Sequence, residues 1–175
     1  RQMVRDQAAG KRFLNLFSYT GAFTVYAASG GATDTVSVDL SNTYLDWAKR
    51  NLELNRLWGP KHEMVKSAVL EFLRRHPPGQ HYDLAVVDPP TFSRSKSTPE
   101  DWEVAVGHKE LLMLTLGLMS PGGTIYFSTN YRRFKLDEEA LAAIGATWRE
   151  ISAQTVPPEY RNRRIHRCWR IVKAG

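Results

Sequence analysis

In Tyr82-Asp83-Leu84-Ala85-Val86-Val87-Asp88-Pro89-Pro90-Thr91-Phe92, four consecutive apolar residues run without alternation into an acid and two prolines. A strand that is apolar on both faces is covered on both, as in a parallel sheet lying between helices. Pro77, Pro78 and Gly79 break the chain before this run, and Pro89 and Pro90 remove backbone donors just after it. Asp88 therefore lies at the carboxyl end of a strand, which is where open α/β sheets bind their ligands.

Outward from this strand, short apolar runs alternate with helical patterns, without internal repeats. Toward the amino end, the pattern predicts strands over Phe13–Ser18, Thr35–Asp39 and Glu63–Lys66, and helices over about Ala22–Ser29, Asn42–Leu54 and Leu70–Arg75. Ser41 is the expected cap of the Asn42 helix. Toward the carboxyl end, a polar loop to about Pro99 precedes a long helix that stops before Pro121-Gly122-Gly123. Then follow a strand over Thr124–Ser128, a helix over Asp137–Ile144, and two strands, Trp148–Ala153 and His166–Val172, that read as an antiparallel pair. Strands alternating with helices predict an α/β domain with a mostly parallel sheet and helices on both faces.

The chain has 175 residues, of which 42% are hydrophobic, enough for one domain spanning residues 1–175. Its single cysteine, Cys168, excludes a disulfide framework and a cysteine-rich zinc site, and points to a reducing, cytoplasmic setting. No metal is expected. The longest uncharged apolar runs fall short of the roughly 20 residues that span a bilayer, so no membrane association is expected. A formal charge of +6 favours a polyanionic partner. The basic residues gather in two places, Arg132 and Arg133 with Lys135, and Arg161, Arg163, Arg164, Arg167, Arg170 and Lys173, interleaved with Tyr160, Ile165, Trp169 and Ile171. Both groups are candidates for phosphate contacts, and each equally reads as a solvated strand face.

The turn after the first strand, Phe17-Ser18-Tyr19-Thr20-Gly21-Ala22, lacks the spaced glycines of a dinucleotide fingerprint and the lysine of a phosphate loop. NAD, FAD and ATP are therefore disfavoured, but one glycine still lets a small ligand approach the backbone. Asp39 ends the second strand 18 residues after Gly21, where an acid can accept hydrogen bonds from both hydroxyls of a ribose. After the central strand, the Asp88 carboxylate and the Pro89 carbonyl form a pair of acceptors. Pro90 stiffens the loop, and Phe92 offers a ring for stacking. Two acceptors beside an aromatic plane suit a nucleobase edge that carries N–H donors.

Together these residues resemble the class I S-adenosylmethionine-dependent methyltransferases. Leu14-Asn15-Leu16-Phe17-Ser18-Tyr19-Thr20-Gly21 resembles their first motif, Val38-Asp39-Leu40-Ser41 their second, and Asp88-Pro89-Pro90-Thr91-Phe92 their fourth. Three further segments are similar to the guanine-N7 domain of the bacterial bifunctional large-subunit ribosomal RNA methyltransferases. They are Tyr44-Leu45-x-Trp47-Ala48-x-x-Asn51-Leu52-x-x-Asn55, Gly122-Gly123-Thr124-Ile125-x-Phe127-Ser128 and Asn162-Arg163-x-Ile165-His166-x-Cys168-Trp169.

The resemblance implies a Rossmann-like sheet of seven strands with an antiparallel carboxyl-terminal hairpin, and S-adenosylmethionine as methyl donor. It implies transfer to guanine N7 of 23S rRNA, with Asp88, Pro89, Pro90 and Phe92 holding the base. Phe17, Ser18, Tyr19, Thr20, Gly21, Ala22, Asp39, Leu40, Ser41, Ala68, Val69 and Asp88 would line the cofactor site. Arg132, Arg133, Arg161, Arg163, Arg164 and Arg167 would contact RNA. Three departures stand out. The family extends further upstream, so the chain is expected to be excised from a longer protein with an additional RNA-binding domain. Ala68 stands where the family carries an acid facing adenine. Ser128-Thr129-Asn130 stands where related cytosine-C5 enzymes carry a nucleophilic cysteine, and Cys168 and His166 read as structural. Two alternatives stay open: a non-catalytic RNA-binding module that keeps the fold, and transfer to an exocyclic amine, guanine N2 or adenine N6.

Overall fold

The computed structural model describes residues 1–76, 81–93, 102–156 and 165–175. The chain runs through α1 (Gln2–Gln7), β1 (Arg12–Leu16), α2 (Ala22–Ser29), β2 (Asp34–Asp39), α3 (Asn42–Leu54), β3 (His62–Lys66), α4 (Val69–Arg75) and β4 (Tyr82–Val87). It continues through β5 (Phe92–Ser93), β6 (Trp102–Glu103), α5 (Val104–Gly117), β7 (Met119–Thr129), α6 (Glu138–Ala143), β8 (Thr147–Glu150), α7 (Ser152–Thr155) and β9 (Arg167–Val172). Seven strands make one sheet in the order β3-β2-β1-β4-β7-β9-β8. Strands β3, β2, β1, β4 and β7 pair in parallel, and β9 runs antiparallel to both β7 and β8. This is the expected α/β architecture.

The uniform apolarity of the central strands follows from what covers them. Successive side chains of a strand point to opposite faces. On one face Leu14, Leu16, Ala85, Val87 and Phe127 join Leu111, Leu112 and Leu116 of α5 and Val69 and Leu73 of α4. On the other face Phe13, Leu84, Val86 and Tyr126 join Ala27 of α2 and Val4 of α1. Ser41 caps α3 as expected, its hydroxyl accepting from the Tyr44 N–H at 3.4 Å.

Several boundaries differ from the sequence pattern, each for a tertiary reason. Residues before β1 form α1, because Val4 and Ala8 are buried against the sheet and the Gln7 amide donates to the Tyr126 hydroxyl at 2.5 Å. The segment expected as a polar loop carries a short ribbon, in which Phe92 and Ser93 pair antiparallel with Glu103 and Trp102. Strand β7 starts at Met119, ahead of Pro121-Gly122-Gly123. The pairing with β4 steps from Tyr82–Met119 to Leu84–Thr124, so an irregularity absorbs the intervening residues. Strand β8 stops at Glu150 rather than Ala153. Ser152 opens α7 there, and its hydroxyl takes the Cys168 N–H at 3.0 Å.

His108 illustrates how a buried polar group is satisfied here. Its Nδ1–H donates to the Val104 and Ala105 carbonyls at 3.0 Å, which leaves Nε2 to accept the Asp137 N–H at 3.1 Å. Its ring meets Phe134 edge-on at 4.6 Å. Burial lowers its pKa below 6.5, opposed by the two carbonyls and by Asp137. A lowered folded-state pKa means the unfolded chain binds the proton more readily, so stability falls as pH drops below about 6.5. In thermal unfolding from pH 8 to pH 5, His108→Gln is expected to flatten the acid-side loss of melting temperature relative to the parent protein. An identical slope in both would show that His108 does not report on folding.

Candidate active site

Strand β1 sends the chain toward β2 and β3, whereas β4 leads to β7 on the other side. The loops leaving β1 and β4 thus diverge at the point where strand order reverses, the place outside which open α/β sheets bind their ligands. Leu16 pairs with Val87, which brings Phe17 and Asp88 out of the sheet at the same level.

The loop after β1 is tightly wound. Phe17, Tyr19 and Gly21 all have positive φ, at 59°, 49° and 70°. For the two non-glycine residues this conformation costs on the order of 1–3 kcal/mol each, so surrounding bonds must hold it. The Ser18 N–H donates to the Val38 carbonyl at 3.0 Å, the Tyr19 N–H to Asp39 Oδ2 at 2.9 Å, and the Asn51 amide to the Thr20 carbonyl at 2.8 Å. Beneath the loop, buried Asn15 donates to Thr24 Oγ1 at 2.9 Å, and Thr24 and Ser37 hydroxyls meet at 2.7 Å, tying β1, α2 and β2 together. A Cβ on Gly21 would lie 2.5 Å from Ala48 Cβ, so this glycine also lets α3 pack against the turn. Ala22 then starts α2.

Asp39 ends β2 half-buried, with one backbone donor on each oxygen: Tyr19 N–H on Oδ2 and Ser41 N–H on Oδ1, both at 2.9 Å. A carboxylate offers about four acceptor sites, so each oxygen keeps one for a ligand. Leu40 is half-buried beside it. The Asp39 carbonyl accepts the Ser67 N–H at 3.1 Å, drawing Ala68 and Val69, which cap and open α4, to the same rim. The Ser18 hydroxyl is buried with no hydrogen-bond partner among the described residues.

After β4, Asp88 faces solvent, Pro89 is buried and Pro90 is exposed. Ser128 Oγ donates to Asp88 Oδ1 at 2.5 Å. Enclosure by protein raises the Asp88 carboxyl pKa, while the Ser128 hydrogen bond, His166 and Arg1 act against the rise. The Pro90 carbonyl is taken by the Trp102 indole N–H at 3.0 Å, and the Thr91 carbonyl by the Val104 N–H at 3.1 Å. Trp102 also meets Phe17 at 5.9 Å, and a Cβ on Gly107 would collide with its ring. Trp102 thus ties the base loop to the β1 loop, a role that sequence reasoning missed. Its one local signal is a tryptophan five residues before a helical glycine. Phe92 is 50% exposed.

Among the basic candidates, Arg132 and Arg133 are exposed just beyond β7. Arg167 is engaged elsewhere: its guanidinium binds Glu150 at 2.7 Å, donates to the Phe134 carbonyl, and lies 4.5 Å from the Trp169 ring centroid. Arg161, Arg163 and Arg164 lie outside the described residues. Cys168 is buried, its thiol pKa pushed up to about 12 by burial, so it is a packed side chain and no nucleophile at neutral pH. Tyr19, expected in the cofactor site, forms an exposed aromatic row with Tyr44 and Trp47, which were not expected there; the Tyr19 and Tyr44 centroids lie 4.5 Å apart. Among the described residues, no cluster of His, Cys, Asp or Glu could hold a metal, and no helix is long and apolar enough to cross a membrane.

The family described as S-adenosylmethionine-dependent methyltransferase matches residues 1–162. The chain is 49% identical over 172 residues to ribosomal RNA large subunit methyltransferase K of Neisseria meningitidis, covering 98% of this chain and 48% of that protein. It is 50% identical over 173 residues to ribosomal RNA large subunit methyltransferase K/L of Pseudomonas aeruginosa, covering 98% of this chain and 23% of that protein. The chain therefore spans about half, or less than a quarter, of the curated relatives' length. A crystal structure of SMU.776 complexed with SAH superimposes with a TM-score of 0.77 at 31% identity, covering 97% of this chain and 47% of the other.

The residues of the β1 and β2 loops fit such a nucleoside ligand. A buried Ser18 hydroxyl and two Asp39 acceptor positions provide hydrogen-bonding capacity that no group among the described residues uses. Asp88 has a separate consequence for stability. Its raised pKa means that ionisation opposes folding, so this cost sets in as pH rises above the ordinary carboxylate value of 3.8. Asp88→Asn is expected to melt higher than the parent protein at pH 8, and the gap should close as pH falls toward 3.8. A lower melting temperature at pH 8 would show that Asp88 stabilises the fold.

Proposed function

Since the chain belongs to the S-adenosylmethionine-dependent methyltransferase family, we propose that it methylates N7 of a guanine in 23S ribosomal RNA. The observation that carries this reading is the register that sets Asp88 and Pro89, after β4, beside the loop that begins at Phe17, after β1. The 49% identity to a protein named ribosomal RNA large subunit methyltransferase K supports the class of substrate.

When bound, S-adenosylmethionine supplies a methyl group activated by a sulfonium. On the reading proposed, Phe17 to Ala22, Asp39 to Ser41, and Ala68 with Val69 hold it, Asp39 accepting from the ribose hydroxyls. Ala68 brings no side-chain acceptor, and losing one neutral hydrogen bond costs on the order of 1 kcal/mol. Asp88 and the Pro89 carbonyl accept from adjacent N–H groups on the guanine edge, and Phe92 stacks on its face. Guanine N7 carries an in-plane lone pair and no hydrogen, so the reaction needs no base. The protein's task is to orient and to exclude water, and orientation contributes roughly 7–11 kcal/mol in favourable cases. Arg132 and Arg133 hold flanking phosphates. A ribosomal substrate implies work in the cytoplasm and a further RNA-binding segment in the full-length protein.

A second reading, transfer to an exocyclic amine, draws on the raised pKa of Asp88, which brings the carboxylate closer to accepting the amine's proton. Nucleoside mass spectrometry of 23S rRNA incubated with the protein and labelled donor separates the two. 7-Methylguanosine is expected, N2-methylguanosine or N6-methyladenosine would support the second reading, and donor binding without any labelled nucleoside would indicate a binding module.

The two halves of the site should come apart under mutation. Asp88→Ala is expected to reduce transfer at least about a hundredfold with S-adenosylhomocysteine affinity within a few-fold, whereas Asp39→Ala should weaken that affinity about tenfold or more. Calorimetry beside a transfer assay reads both, and equal loss of binding in the two variants would contradict the assignment.

A further inference from the structure

The register of the sheet brings one more group to the base clamp. Val87 pairs with Phe127, so the next residues, Asp88 just past the end of β4 and Ser128 still within β7, follow on adjacent parallel strands. Ser128 is buried at 6% exposure and opposite Cys168 of β9, and its hydroxyl donates to Asp88 Oδ1 at 2.5 Å. Among the described residues no second donor reaches that carboxylate. An ionised carboxylate only accepts, so the direction of this bond is fixed, and bonds of this kind are roughly twice as strong as neutral ones.

We propose that Ser128 is a positioning residue: it turns the Asp88 carboxylate so that Oδ1 is held by the sheet and Oδ2 is presented to an N–H donor of the substrate base. This rests on Asp88 holding that base. It narrows the substrate to a base whose edge carries adjacent N–H donors, one for Oδ2 and the next for the Pro89 carbonyl. A base edge made of acceptors alone is rejected, because it leaves both protein acceptors unpaired.

The test uses Ser128→Ala and Ser128→Thr, with the Asp88 carboxyl followed by carbon-13 NMR titration of the ligand-free protein alongside transfer kinetics. The hydroxyl bond favours the charged carboxylate, so Ser128→Ala should move the Asp88 titration, and the acid limb of transfer, to higher pH. His166, Cys168 and Arg1 also face Asp88, and they are unchanged between the two variants. Ser128→Ala is expected to lower kcat/KM about ten- to a hundredfold with S-adenosylhomocysteine affinity within twofold, and Ser128→Thr to restore both readouts. An Asp88 titration unmoved in Ser128→Ala, a threonine variant as impaired as the alanine one, or parallel loss of cofactor affinity would each overturn the proposal. A titration that shifts and is restored, in a protein that methylates no RNA, would leave the positioning role standing and bring down the functional reading.

Discussion

Leu16 and Val87 lie side by side in the parallel pairing of β1 with β4, and the two halves of the site follow from that register. Each strand delivers its loop to the same edge of the sheet, one with the turn from Phe17 to Gly21, the other with Asp88-Pro89-Pro90. On the function proposed, neither loop by itself holds both the donor and the base. Sheet pairing alone brings the two loops together, and it is rigid because Leu14, Leu16, Ala85 and Val87 have no exposed surface. A slip by one residue would turn each strand's side chains to the opposite face, so burial on both sides enforces the alignment.

A well-packed base allows the loops to be strained. Phe17 and Tyr19 hold left-handed backbone conformations that their side chains disfavour, and the bonds that keep them there come from four different elements. Val38 and Asp39 lie on β2, Asn51 on α3, and the Asn15–Thr24–Ser37 chain underneath spans β1, α2 and β2. Asp39 has two duties in this arrangement, because the oxygens that hold the loop also retain acceptor capacity. The turn is therefore preorganised, and a ligand does not have to bear the cost of ordering it.

Asp88 shows the opposite economy. Desolvation by the surrounding protein disfavours its charge, and a single serine hydroxyl and nearby positive groups act against that penalty. A charge whose surroundings disfavour it is a common condition of functional groups. Trp102 serves the same loop from another direction. It takes the Pro90 carbonyl and packs against Phe17 and Gly107, so the acceptor next in sequence to Pro89 is withdrawn from the clamp.

What the sequence determined by itself is local. The unbroken apolar run at Leu84–Val87, the proline pair after Asp88, the lone glycine at position 21 and the acid at position 39 announce a parallel sheet and the strand ends that bear its chemistry, because side-chain period and turn residues are properties of neighbours in the chain. Even the expected antiparallel carboxyl-terminal pair is legible in this way. The tertiary structure decided which candidates keep their capacity. Arg167 reads as a phosphate ligand in the sequence, yet Glu150, Phe134 and Trp169 occupy it, and Ser128 and Trp102 gain their roles only through residues 40 and 12 positions away. A hydrogen bond between distant residues depends on the register of whole strands, and no short window of sequence contains that register.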